Sequence, residues 1–153
     1  MSAGRDRVRM QPDEVGEFLA THRKVQVATV NRDGSPHLTT LFYVLREGDL
    51  AFWTYARSQK IRNLERDPRV TCLVEDGEEY FDLRGVTLTG TARLLRDEAD
   101  VRSVGTAVAD AMAGGVDLGE AGAAEVERQV PQRVGVVVTA DRVASWDHRK
   151  LLG

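Results

Sequence analysis

Residues 56 to 68 read ARSQKIRNLERDP, and within them Arg57, Ser58, Lys60 and Asn63 bring two positive charges, a hydroxyl and an amide into seven residues. Arg57, Lys60 and Asn63 recur at three-residue intervals, so a short helix gathers all three on one face. Ser58, near the start of that helix, suits a cap, and the free N–H groups of the first turn favour an anion. The chemistry such a cluster performs is charge-assisted hydrogen bonding to a phosphate. The same residues also describe a solvated charged face that binds nothing. Position favours the first reading, because the aromatic run FWTY, Phe52 to Tyr55, comes just before and can line a flat ring beside a phosphate.

Other groups that could do chemistry are sparse. Lys60 is one of three lysines against eighteen arginines. The one cysteine, Cys72, sits in the apolar run VTCLV and reads as a small buried hydrophobe, with no disulfide possible inside the chain. His22, His37 and His148 are far apart in sequence, so no metal site is expected. Glu75, Asp76, Glu78 and Glu79 fall in a turn cluster and read as loop charge, and no glycine-rich dinucleotide fingerprint is present. A net charge of −3 argues against a nucleic-acid partner. No stretch has the length and apolarity of a signal peptide or a membrane span, so a cytoplasmic protein with no membrane partner is expected. The excess of arginine over lysine suggests a GC-rich bacterial genome.

The elements that must position the cluster follow from periodicity. Gln11 to Thr21 reads as a helix, with Pro12 at the first position, Asp13 and Glu14 in the first turn, and Val15, Phe18 and Leu19 at helical spacing. KVQVATV and HLTTLFYVL are strands joined by the turn NRDGSP, and LAFWTY is a third strand after REGD. Then come the short helix at the cluster, the strand RVTCLVE, and a long curved strand in FDLRGVTLTGTARLL with a bulge or bend at Gly90. Asp97 to Met112 and Gly119 to Val130 are helical, and RVGVVVTADRVASW is the last strand. Six strands joined mostly by short turns make a small antiparallel barrel in one domain over residues 1–153, with a helical insertion at about 97–131. Its apolar outer faces call for cover by helices and by a second copy of the chain.

The segment GSPHLTTLFYVLREGDLAFWTYARSQKIRNLERDPRVTCLV, taken with GTARL, resembles the flavin-binding split barrels of the pyridoxamine 5'-phosphate oxidase type. Those proteins place an S-x-K phosphate segment before a strand that opens on D-P-R-V or N-P-R-V. The resemblance runs from about Val15 to Leu95 and, more loosely, to Trp146. It implies a mainly β (α+β) fold, a six-stranded antiparallel split β-barrel with flanking helices.

Within that superfamily the sequence is most similar to short actinobacterial oxidoreductases that use the deazaflavin coenzyme F420, the B group. The resemblance then implies a homodimer with cofactor held between subunits. Arg57, Ser58 and Lys60 would hold the phosphate, and Asn63 would support it. Trp53 and Thr54 would flank the ribityl and phosphate portion, and Thr39, Thr40 and Leu41 would lie along the ring. Reduced F420 would pass a hydride to an unsaturated or quinone-like small molecule, with Tyr43, Tyr55, His37 or solvent supplying a proton. Arg23, Arg62 and Arg66 are candidates to meet the acidic tail of the deazaflavin. FMN in the same barrel, and a non-catalytic cofactor carrier or sensor, are the competing readings. Gln59 stands where oxidase members commonly carry arginine, and the C-terminal ASWDHRKLLG lacks the arginine and histidine pattern that holds pyridoxamine phosphate. That particular oxidase activity is therefore not implied.

Overall fold

Alternation decides which way each strand faces. In Lys24–Val30 (β1), Val25, Val27 and Thr29 are buried while their neighbours are more open, the period of a half-covered strand. The computed structural model describes residues 3–153. Two helices, Ala3–Val8 (α1) and Pro12–Thr21 (α2), precede β1. Then follow Pro36–Phe42 (β2), Val44–Arg46 (β3), Asp49–Tyr55 (β4), Gln59–Arg66 (α3), Arg69–Asp76 (β5) and Arg84–Leu95 (β6). Glu98–Ala113 (α4) and Gly119–Gln129 (α5) lead into the last strand, Arg133–Asp147 (β7).

All seven strands form one antiparallel sheet in the order β2-β1-β5-β6-β7-β4-β3. The sheet curls on itself, because Leu41 of β2 and Leu45 of β3, from its two ends, pack against one core with Val27, Cys72, Leu88, Val136 and Phe52. Of the bulge or bend expected at Gly90, the structure has a register shift between Thr89 and Gly90. A side chain there would start 1.9 Å from the Thr139 carbonyl oxygen, so glycine lets β7 approach.

The expectation of six strands is corrected to seven, and Tyr43 is the reason. HLTTLFYVL does not run as one strand. Its first part pairs with β1 up to Phe42, and its last part pairs with β4 from Val44. Between them the Tyr43 N–H donates to the Arg23 carbonyl, at 2.8 Å, and its hydroxyl donates to the Leu19 carbonyl, at 2.7 Å. Those bonds pin a fully buried side chain to the end of α2 and hand the chain from one partner strand to another. The turn after β3 uses Glu47 at φ 52° and Gly48 at φ 86°, the positive pair that a tight two-residue hairpin requires.

Helices cover the outer faces of β4 and of the first half of β7. Val104 and Val108 of α4 pack on Ala51, Leu95 and Val137, and Val126 of α5 joins Val101 and Val130. Gly105 is the contact point of α4, since a Cβ built there would lie 2.3 Å from Cζ3 of Trp53. At the other end of the barrel Asp76 accepts hydrogen bonds from Arg84 and, at 2.8 Å, from His22 Nε2. No helix among the described residues is long and apolar enough to cross a membrane.

Gly105→Ala should destabilise the chain by about 1–3 kcal/mol, because overpacking against the indole outweighs the better helix propensity of alanine. Urea denaturation followed by tryptophan fluorescence reads this. Burial raises the Asp76 carboxyl, but hydrogen bonds from Arg84 and His22 outweigh it and hold the group below its ordinary value. The stability it contributes is complete above the unfolded carboxylate value of about 4 and is lost as pH falls through the lower folded value. Asp76→Asn should therefore lower Tm at pH 7 and narrow the gap from wild type below about pH 4.

Candidate cofactor and ligand site

The start of α3 is built by a cap and an anchor. Ser58 is the N-cap and its hydroxyl oxygen accepts from the Ile61 N–H at 3.3 Å. The Gln59 and Lys60 N–H groups belong to the first turn, which has no acceptor within the helix. Arg57 precedes the cap and is exposed, so it does not share a helical face with Lys60 and Asn63 as the spacing suggested. Lys60 is half-buried, and burial alone pulls its ammonium below the usual lysine range. Among the described residues neither Arg57 nor Lys60 pairs with a carboxylate.

Asn63 is fully buried and its amide is fully used. Nδ2 donates to Thr29 Oγ1 at 3.0 Å and to Asn31 Oδ1 at 2.9 Å, while Oδ1 accepts from Gln59 at 2.8 Å and from Arg66 at 3.1 Å. Two donors and two lone pairs are the whole capacity of a primary amide. Asn63 thus acts on the site by fixing α3 to β1. Arg66 does the same work from the surface, donating also to the Val30 carbonyl at 2.6 Å.

Opposite α3 runs the free edge of β2, which pairs on one side only, with β1. Register places Thr39 beside Val27 and His37 beside Thr29, on the interior side, and exposed Thr40 beside half-buried Gln26 on the outer side. Thr39 Oγ1 and His37 Nδ1 are buried and have no hydrogen-bond partner among the described residues. Such orphans carry a cost that a ligand can relieve. An open depression lined by Asn31, Asp33, His37 and Gln59 joins the start of β2 to the start of α3. On β4, Thr54 is buried on the interior side and Trp53 faces outward, against α4.

A second cavity, of about 450 Å³, opens at the other end of β2. Leu41, Phe42 and Trp53 form its floor, and Val108, Met112 and Leu118 its helical wall. Arg133 lies at its edge, with its guanidinium 3.8 Å from the ring centre of Tyr55 and 4.9 Å from that of Trp53. Arg133 was not singled out by sequence, where it is one arginine among eighteen at the start of a strand. Only the register that sets it opposite Tyr55 marks it out.

Of the proton sources, Tyr43 is corrected to a core strut, its hydroxyl spent on Leu19 and its ionisation pushed up by burial. His37 and Tyr55 stay at the site's margins, the latter half exposed. Cys72 is buried, and burial pushes its thiol up to about 12, which makes it inert.

Residues 11–147 match the family model described as pyridoxamine 5'-phosphate oxidase. No curated protein matches the sequence. Among solved structures, a conserved hypothetical protein from Mycobacterium tuberculosis, Rv2991, is 38% identical with a TM-score of 0.89, over 97% of this chain and 92% of that one. An F420 reductase superposes with a TM-score of 0.62 at 22% identity, over 83% of this chain and 93% of that one. A FAD-binding protein from Mesorhizobium loti gives 0.67 at 17% identity, over 89% and 94%. The last two speak to the fold alone. With the family model spanning nearly the whole curled sheet and its helices, the chain belongs to the pyridoxamine 5'-phosphate oxidase family of split barrels.

Proposed function

We propose that this protein is an oxidoreductase using the deazaflavin coenzyme F420, acting on an unsaturated or quinone-like small molecule. The observation that carries the reading is the start of α3, where half-buried Lys60 has no carboxylate partner among the described residues, next to a depression that Gln59 of α3 shares with His37 of β2, whose Nδ1 is orphaned. Lys60 and the first-turn N–H groups would hold a phosphate, relieving an ammonium that burial disfavours. Ser58 keeps the helix start in shape, and Asn63 keeps the helix in place. Thr39, Thr40 and Leu41 would bond the ring edge through the free backbone of β2, and Trp53 and Thr54 would border it from β4. When bound in its reduced form, F420 supplies the hydride that the acceptor takes up. The chain's part is to orient that ring, exclude water from one face, and let His37, Tyr55 or solvent deliver one proton.

Two features favour the deazaflavin over FMN. Gln59, at the position where arginine is common in the oxidases, spends its amide on Asn63 and adds nothing to a phosphate grip. Arg57 and Arg62 are exposed beside the helix start, where they suit a long, solvated, acidic tail that FMN lacks. We also propose a homodimer in the cytoplasm. The helices pack mainly on β1, β2, β3, β4 and β7, and on the outer face of the β5–β6 pair Thr71, Leu73, Thr87 and Thr89 are only half-buried.

Titration of the purified chain with F420 and with FMN should give the tighter binding to F420, and Lys60→Ala should weaken it by about 1–3 kcal/mol without unfolding the protein. Equal affinity of wild type and variant, with circular dichroism unchanged, would remove Lys60 from the site. Reduced F420 should lose its electrons faster when a quinone and the protein are both present; cofactor that binds but is never consumed points to a carrier. In sedimentation, wild type should run as a dimer and Leu73→Asp as a monomer.

A further inference from the structure

The cavity walled by α4 and α5 is mostly apolar, with Glu125, Gln129 and Arg133 as its polar members. Its floor is Leu41, Phe42 and Trp53, and two of its wall residues, Met112 at 57% and Leu118 at 51%, are exposed large hydrophobics at the mouth. An apolar pocket of this size takes a small molecule with a hydrophobic body.

One charge in it has no counterpart. Arg133 pairs with no carboxylate among the described residues, and its Nε is buried without a hydrogen-bond partner. One terminal nitrogen, Nη2, donates to Gln129 at 2.6 Å. Its guanidinium carbon lies over the rings of Tyr55 and Trp53, which stabilise the charge but supply no anion to it. The acidic residue in the lining, Glu125, is already bonded to Arg128 and Gln129, so it offers no charge to a ligand. A half-buried guanidinium beside two aromatic rings, with an unpartnered Nε and no carboxylate of its own, at the edge of a mostly apolar cavity suits an anionic group.

We infer that this cavity binds an amphipathic carboxylate, its hydrocarbon or ring body against Trp53 and α4 and its carboxylate on Arg133. The inference deepens the reading above by naming the class of acceptor, since Leu41 and Trp53 border both this cavity and the proposed cofactor position. It rests on that reading only in calling the bound molecule the acceptor. Its test uses no cofactor, so the two can fail separately.

Isothermal titration of the full chain with decanoate, 1-decanol and decylamine measures the preference directly. Decanoate should bind at least tenfold more tightly than the alcohol, and decylamine most weakly. Arg133→Met should abolish the gap between acid and alcohol while leaving alcohol binding within about twofold, and Arg133→Lys should keep part of it. Ala109→Phe, which fills the cavity from α4, should remove binding of all three. Equal binding of acid and alcohol by wild type overturns the inference even if the Arg133 variants fail to fold. So does an acid preference that survives in Arg133→Met, or the absence of any decanoate binding at millimolar concentration.

Discussion

A single buried tyrosine decides that this sheet does not close. Tyr43 sits where the chain leaves β1 and joins β4, and its two hydrogen bonds to Arg23 and Leu19 hold that crossover against the end of α2. Had the segment run straight as one strand, it would have had to pair with β1 and β4 along the same residues. By changing partners at one fixed point, it leaves the upper part of β4 and the whole outer edge of β2 without each other. The slot between them is what the rest of the site is arranged around. Backbone groups that a closed barrel would have consumed are left for something else.

The two ends of that slot are made differently. At the start of β2 the chemistry is polar: Lys60, first-turn N–H groups and two orphaned atoms, with α3 fastened by the saturated amide of Asn63. At its end the chemistry is apolar, with Trp53 lodged against Gly105 on one side and near Arg133 on the other. From His37 to Leu41 the strand covers about 13 Å at 3.3 Å per residue, enough to separate a charged recognition point from a hydrophobic one. A ligand with an anion at one end and a flat ring at the other matches that polarity.

Much of this was legible in the chain itself. The strand runs were visible as β-rich stretches between turn residues, the helices after β6 from apolar spacing and their glycine and proline stops, and the cap at Ser58 and the irregularity at Gly90 from residue type, because each depends on neighbours close in sequence. The break at Tyr43 was not, since HLTTLFYVL has no turn residue and the cause is a hydroxyl reaching a carbonyl twenty-four residues away. At the site, the type of chemistry was readable but the geometry was not. Arg57 falls outside the helix because the cap fixes where the first turn begins, and Asn63 points inward because Thr29 and Asn31 wait for it. Arg133 gained its meaning only from the register of β7 against β4.

The open edge of β2 also has a bearing on how this chain behaves in a crowded solution. Its central residues, His37 to Phe42, carry no formal charge, and Leu38 is 65% exposed. Unpaired strand margins of that kind are templates for strand-on-strand growth into aggregates. Pro36, at the first position, blunts one end, and α4 lies across part of the strand. The helical excursion between β6 and β7 is therefore a gatekeeper as well as a wall, and loosening it trades ligand access against colloidal safety.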